Sequence, residues 1–589
     1  INFLCSHTYI GMTTQEIDVA GKNVLNIVLE EDMEALEEIV VIGYGTMEKK
    51  DLTGAVTGMR KDVLEQTRSS SFVNSMQGRV AGVHITSGSG EPGSGAKVVI
   101  RGANTLTGSS DPLYVIDGIQ INESDAPIAS SRFGGNSKRN PLSSINPADI
   151  VSIDVLKDAS STAIYGSKGA NGVIIVTTRQ GQEGATMVTY DGNFGVSSRS
   201  KKIGMLNGEE WIDYRKDWTL MPDKKRITYG YFNDWLFFLN AGETNPGKME
   251  PRNVYALPEF DWQDEMYRTA LSTTHNLSIS GGTQSTKFSG NVGYNNEEGL
   301  LRNNNYSRYN TRLRLDHNQN RFSFSYSLNA SYSRYSGAAQ SGDGYNNMGI
   351  LQTAIISRPL TFNNPLAVQT QGGWKEPTKN LDYIDRVTST PNISSNATIN
   401  YKIMEGLYLG TTVSGTIVPS KTNEFYGKET PWGFYLRGRG AITNSEWIGW
   451  ANINSISYDK AFKNNTKLNA LAAFEINGSR YETNSIIKSN FAEETTGIHD
   501  ISKGVTLENA TSNAGPMKRV SYLSRINYNM FDRYLITSSL RADGSDRFGE
   551  DNRWGYFPSL AFAWRLSEEA FMKNIEFLDN LKLRMSYGR

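Results

Sequence analysis

The chain holds 589 residues, with 60 Lys+Arg against 61 Asp+Glu for a formal net charge of −1 and no basic stripe, which argues against a nucleic-acid partner. Hydrophobic residues make up 38%, mean hydropathy is −0.46, and no apolar run approaches the roughly 20 residues that a membrane-spanning helix needs. A helical membrane protein is thereby excluded, but a transmembrane barrel is not, because its strands alternate lipid-facing and lumen-facing residues and look hydrophilic on average.

The 29 Tyr, 23 Phe, 10 Trp and 56 Gly, beside 17 Pro and the single Cys5, describe many strands and turns without a disulfide framework. Residues 1–30 show short apolar alternation at Val24, Ile27 and Leu29, the expected end of a small β domain. The first residues include no initiator Met and no basic n-region with an apolar core, so any signal peptide of an exported protein is expected to have been removed, and the last ones alternate as a strand with no turn after it. A piece of a longer protein is expected, with further strands beyond Arg589. Residues 31–48 begin acidic, with Glu31, Asp32, Glu34, Glu37 and Glu38 following Glu30, and read as a solvated linker. The linker runs into Ile39-Val40-Val41-Ile42, closed by Gly43-Tyr44-Gly45. Two readings stand: an ordinary buried strand, or an extended segment on a flexible leader that pairs with the sheet edge of another protein.

Residues 49–183 form a compact mixed α/β unit. Short β-type runs lie at 83–85, 97–100, 113–116, 150–155 and 173–178, and helices are predicted at 71–76 and 159–165, the second with Asp158 as N-cap. The glycine clusters at 88–95 and 166–172 fit no phosphate-loop pattern and read as turns.

From 184 to 589 the period is two. Phe322, Phe324, Tyr326, Leu328, Ala330 and Tyr332 alternate with Ser323, Ser325, Ser327, Asn329, Ser331 and Ser333, which no amphipathic helix produces. At about 3.3 Å per residue the run spans roughly 40 Å, far beyond an ordinary globular strand. Similar strands carry Val188, Tyr190, Phe194 and Val196, then Leu407, Leu409 and Val413, then Leu468, Phe474 and Ile476, then Val520, Tyr522 and Ile526. Short turns at 317–320, 404–406 and 529–532 alternate with polar excursions predicted at 221–260, 336–386 and 484–517, the asymmetry of an outer-membrane barrel.

Catalytic patterns are missing from the sequence. The five histidines stand far apart, no G-x-S-x-G elbow occurs, and no metal or cofactor motif is present. Asp543, Asp546, Glu550 and Asp551 read as an acidic turn, with a calcium site as the alternative. An enzyme is not expected.

The segment 149–178, DIVSIDVLKDASSTAIYGSKGANGVIIVTT, closely resembles the signature of the SusC/RagA family of TonB-dependent outer-membrane transporters. Residues 77–83, 100–102 and 112–118 follow the family's plug order, and 541–545 and 553–559 resemble its barrel motifs. The resemblance runs from about residue 30 to the end. It implies an α+β plug domain inside an antiparallel transmembrane β-barrel of 22 strands, incomplete here, in the outer membrane of a Gram-negative bacterium of the Bacteroidetes type. Residues 1–30 become the remnant of a carboxypeptidase-regulatory-like domain. Glu38, Ile39, Val40, Val41 and Ile42 fall where the family carries its TonB box, which shifts the open reading toward an added strand.

The implied function is active import of a nutrient oligomer, an oligosaccharide or an oligopeptide, with TonB in the periplasm, a SusD-like surface lipoprotein as lid, outer-membrane lipid around the wall and no cofactor. Asn104, Thr105, Asp111, Asn122, Arg132 and Asn136, in the plug loops, are the candidates for facing the cargo. The competing readings are a passive or adhesive barrel without energised transport, and a secreted β-rich glycan-binding or glycan-cleaving protein, which the strand length disfavours.

Overall fold

The computed structural model describes residues 4–7, 15–18, 39–42, 45–60, 63, 72–87, 89–103, 105, 109–121, 145–220, 254–337, 349–360, 376–572 and 580–588. Two short hairpins come first. Strands β1 (Leu4–His7) and β2 (Gln15–Asp18) pair antiparallel, and β3 (Ile39–Ile42) pairs antiparallel with β4 (Gly45–Glu48), Ile39 opposite Glu48 and Ile42 opposite Gly45.

The plug follows, built from β5 (Val56–Arg60), helix α1 (Phe72–Ser75), β6 (Val83–Ser87), β7 (Ala96–Ile100), β8 (Leu113–Ile116), β9 (Ile119–Ile121), β10 (Ile150–Leu156), α2 (Ala159–Thr162) and β11 (Val173–Thr178). Five of these strands form one sheet in the order β5-β10-β11-β8-β9, with β11 parallel to β8, while β6 and β7 make a separate hairpin. The sheet is covered on both faces, which is why its strands read as unbroken apolar runs. Ile153, Val155, Ile174 and Val176 pack with Met59, Met76 and Val98 on one side. On the other, Val115, Leu156, Val173 and Ile175 meet Ile164, Tyr165 and the wall residues Leu471, Ala473 and Leu523.

Two local expectations are corrected. The helix predicted at 159–165 lasts only through Thr162 before tightening into a 3-10 segment, Ala163–Gly169, broken at Gly166 with φ 60° and ψ −143°. Asp158 has cap-like backbone angles but makes no side-chain cap bond; its carboxylate instead accepts from the Ala55 amide and pairs with Arg101. The plug's tertiary bonds outcompete the local cap.

The wall comprises β12 (Gly184–Ser197), α3 (Gly208–Leu220), α4 (Trp262–Met266), β13 (Ala270–Gly282), β14 (Thr286–Glu298), β15 (Asn305–Gln319), β16 (Phe322–Ser336), α5 (Ile350–Ile356), α6 (Pro377–Asp382), β17 (Ile384–Met404) and β18 (Leu407–Tyr426). It continues through α7 (Pro431–Leu436), β19 (Arg439–Phe462), β20 (Thr466–Phe491), β21 (Gly504–Met530), β22 (Tyr534–Ser545), β23 (Trp554–Arg565) and β24 (Lys582–Gly588). Among the described residues these strands form one thirteen-stranded sheet in chain order, every neighbouring pair antiparallel, and the sheet does not close on itself. Outward residues such as Tyr190, Leu277, Val292, Leu313, Val413, Ile526 and Leu540 are exposed, while the inward Asn276, Asn291, Asn310, Arg312 and Arg525 are buried against the plug side. Apolar outside and polar inside is the pattern of a barrel in lipid.

Tight turns at 283–285, 320–321, 405–406, 463–465 and 531–533 close one end of the sheet. The other end carries the long connections 198–269 and 337–383, whose helices α4, α5 and α6 share a small core of Trp262, Met266, Ile350, Ala354 and Leu381. The excursion predicted at 484–517 is corrected: β20 and β21 continue their ladder through Asn484 opposite Ser512 as far as Phe491 opposite Gly504. The side chains of 505–514 are exposed on both faces, so the apolar alternation that marks a half-buried strand is lost although the ladder persists.

Candidate functional site: the β3–β4 hairpin and the plug anchorage

The predicted coupling segment is placed as an extended strand. Ile39–Ile42 form β3, whose neighbour among the described residues is β4; Glu38 lies outside the described residues. Asn104, Asn122, Arg132 and Asn136 also lie outside them. Thr105 sits half-exposed in the loop after β7. Asp111 precedes β8 and is engaged by its own turn. Its amide donates to Ser109 Oγ at 3.2 Å, the Ser109 hydroxyl donates to its carboxylate, and its carbonyl accepts from Asn171 Nδ2 at 3.3 Å.

From the last residue of β4 onward the chain is clamped to the tight-turn end of the wall. Glu48 pairs with Lys467 of β20 at 3.0 Å and with Lys50 at 3.1 Å. Burial pushes the Glu48 carboxyl up, but Lys467 and Lys50 outweigh it and hold the group below the usual glutamate value. Asp51 meets Arg565 of β23 at 2.6 Å and Lys467 at 3.4 Å, and accepts from Asn529 Nδ2 at 2.9 Å. Lys582 donates to the carbonyls of Lys50 at 2.8 Å and Leu52 at 2.6 Å. A cavity of about 410 Å³, lined by Met47, Thr53, Lys460 and Asn527 among others, lies beside the clamp.

Deeper in the lumen the broken helix is held by a second group. Arg541 of β22 donates from Nη1 to the Ile164 carbonyl at 2.7 Å, from Nη2 to Glu475 at 3.1 Å and from Nε to Asp543 at 2.6 Å, and Asp543 also accepts from the Ser167 amide at 3.2 Å. A Cβ on Gly166 would stand 2.7 Å from Arg541 Nε and collide with the Asp543 carboxylate. Glycine is required both for its positive φ and for this close approach. Asp543 thus belongs to a strand and an ion network, not to the acidic turn expected for it.

A third group sits under the β8–β9 turn, where Asp117 (φ 47°) accepts from the Thr178 amide at 3.0 Å and Thr178 Oγ1 at 2.6 Å and pairs with Arg312 at 2.7 Å. Nearby, burial pushes the Asp149 carboxyl up to about 6, against the pull of Arg312, Arg179 and Arg308. At the long-loop end Glu91 of the plug meets Arg386 of β17 at 3.5 Å, and Arg386 lies 5.1 Å from the Tyr335 ring.

These groups bind and orient; among the described residues no set of three or more His, Cys, Asp or Glu could hold a metal ion. Sequence reasoning missed all four anchor points, since their partners lie far apart along the chain. The one available signal was the presence of Asp117, Arg541 and Asp543 inside otherwise apolar or glycine-rich motifs.

A model of the TonB-dependent receptor plug domain matches residues 48–173. The TonB-dependent receptor SusC of Bacteroides thetaiotaomicron is 31% identical across 99% of this chain and 56% of its own length. The TonB-dependent receptor P39 of Formosa agariphila is also 31% identical, over 99% of this chain and 52% of its own. The chain therefore spans about half the length of these curated relatives. The structure of the RagAB peptide importer in an open-open state superposes with a TM-score of 0.76 at 22% identity, covering 94% of this chain and 61% of that one, and shares the fold. Plug, wall and relatives agree: the chain belongs to the SusC/RagA-type TonB-dependent receptors, outer-membrane β-barrel proteins and not enzymes.

Proposed function

We propose that the protein imports a nutrient oligomer across the outer membrane, driven through TonB. The observation that carries this reading is the β3–β4 hairpin joined without a gap to the clamp at Glu48 and Asp51. In an outer-membrane barrel the tight-turn end is periplasmic, so the hairpin is on the side where TonB works. TonB adds a strand to β3, with Glu38 to Ile42 as its recognition segment, and a pull on that strand is delivered to the plug.

The cargo is an oligosaccharide or an oligopeptide, classes consistent with a SusC relative and with the fold of a peptide importer. A SusD-like lipoprotein seats on the long-loop end, where Ile203, Met205, Tyr214, Tyr255 and Ile356 are exposed outside the lipid band. Asn104, Thr105, Asp111, Asn122, Arg132 and Asn136 are the proposed cargo contacts.

Deleting 38–42 from the full-length receptor, with surface expression verified, tests the reading. Uptake of a panel of labelled oligosaccharides and oligopeptides is expected to vanish; uptake at the undeleted level would leave a passive barrel as the better account.

A further inference from the structure

On the outside of the wall, one cross-strand row changes chemistry as it crosses the sheet. Tyr294, Tyr309 and Tyr332 stand opposite one another across β14, β15 and β16. Tyr332 then faces Pro391 of β17, Pro419 of β18 faces Glu446 of β19, and Glu446 faces Glu482 of β20. Directly opposed residues share a face, so the whole row points outward. The neighbouring row on the tight-turn side is the exposed apolar set Ile393, Ile417 and Ile448, ending at the exposed Arg480 opposite Ile448; the neighbouring row on the long-loop side is Ser389, Lys421, Asn444 and Asn484. Within two steps of about 7 Å each the wall passes from hydrocarbon-facing to charged, which fixes this row at headgroup depth in the outer leaflet.

The backbone ladder is interrupted at that depth, though Thr390 and Ser420 still share a side-chain hydrogen bond at 3.1 Å across it. The β17–β18 ladder pairs Ser389 with Lys421 and resumes at Ile393 with Ile417, a register that sets Pro391 against Pro419. Neither proline has an N–H to give, and pairing lapses between them. A groove of about 450 Å³ occupies the lapse, and it reaches the otherwise inward Ser420 and Ser445. Lys421 is exposed and forms no ion pair among the described residues, and neither does Glu446 on the groove's other side. Glu482 is held in place by Arg480 at 2.9 Å and by Asn484, which donates to it at 3.2 Å.

We propose that this groove binds the phosphorylated sugar headgroup of an outer-leaflet glycolipid. The depth supplies the occupant's class, since what touches the outer wall there is a lipid headgroup. The lining selects among headgroups. Glu446, which has no ion-pair partner among the described residues, repels a headgroup that offers only phosphate, and it and Glu482 accept hydrogen bonds from sugar hydroxyls, as the Asn444 and Asn484 amides also do. Pro391, Pro419 and the Tyr332 ring give a sugar face an apolar floor. Lys421 is the one cation of the lining and takes the phosphate.

The test uses the full-length receptor in detergent, stripped of lipid and examined by native mass spectrometry with three probes: lipid A, phosphatidylglycerol and the free phosphorylated glucosamine disaccharide. Lipid A is expected to bind with defined stoichiometry and more tightly than either other probe. Lys421→Gln should weaken it about fivefold, the loss of about 1 kcal/mol that one cation contributes at a membrane surface. Ser389→Trp, which fills the groove, is the second variant, and Lys421 is exposed enough for the first to fold. Equal lipid A binding in the unsubstituted receptor and both variants would overturn the site. Equal binding of phosphatidylglycerol would overturn the sugar, and equal binding of the free disaccharide would overturn the lipid.

Discussion

The plug is fastened to the wall by two kinds of anchorage. Around Arg541 the ions are buried: the side chains of Arg541, Glu475 and Asp543 are 2%, 4% and 6% exposed. At Glu48 and Lys467, at the end of the β3–β4 hairpin, they are 25% and 44% exposed, and only three residues further on does Asp51 meet Arg565 in a pair that is 10% and 7% exposed. The difference matters because a buried pair is costly to break from one side, while an exposed pair contributes little and is screened by salt. A pull entering through β3 meets the weak anchorage first, with the strong one deeper in the lumen.

The largest expected effect tests the strong side. Arg541→Ala leaves two carboxylates without their cation and the Ile164 carbonyl without a donor, and should cost about 3–5 kcal/mol. Thermal melting of the full-length receptor and protease access to the plug would show it; a loss near zero would mean that water replaces the guanidinium and that the two anchorages do not differ.

Asp149 sharpens the same comparison through pH. Its carboxyl is raised from an ordinary 3.8 to about 6, so the folded plug holds the proton more tightly than the unfolded chain. The stability this confers is fully present below about 4 and is lost as pH rises through about 6. At about 1.4 kcal/mol per pH unit the interval amounts to about 3 kcal/mol, an upper value. Asp149→Asn should remove that pH dependence and gain most at pH 7.5; unchanged melting profiles between pH 4 and 7.5 would show that the neighbouring arginines already compensate the burial.

Gly166→Ala comes next, with an expected loss of about 1–3 kcal/mol from a positive φ and the close approach of Arg541 and Asp543. If the strain acts through Arg541, combining it with Arg541→Ala should cost less than the sum of the two.

What the sequence made legible follows the same division between environments. The alternation from Phe322 to Tyr332 located a strand because one face meets lipid and the other the lumen, and the observed β16 begins at Phe322. The apolar runs at 113–116 and 173–178 located plug strands because both faces are buried. The same logic failed at 505–514, where both faces are exposed and no contrast is left to read. The anchor points were illegible for another reason: Arg541 lies 377 positions from Ile164, and Asp51 lies 514 from Arg565. Ion pairs have no period, and only the folded topology brings such partners together. Asp158 shows the reverse case, a good local cap signal overridden by Arg101 and the Ala55 amide.

The smallest expected effect lies at the clamp itself. Glu48→Gln removes an exposed pair and should change stability by no more than about 1 kcal/mol, less at high salt, where the pair is already screened. Its consequence should appear under load. With Lys467 released from Glu48 but still within reach of Asp51, a pull applied through β3 should detach the end of β4 at lower force while leaving the buried Asp51–Arg565 pair and the Arg541 network intact. Single-molecule extension of the full-length receptor from its N-terminal side would measure this as a lower first rupture with later ruptures unchanged. A drop in every rupture, or none, would mean that the weak and strong anchorages yield together as one unit.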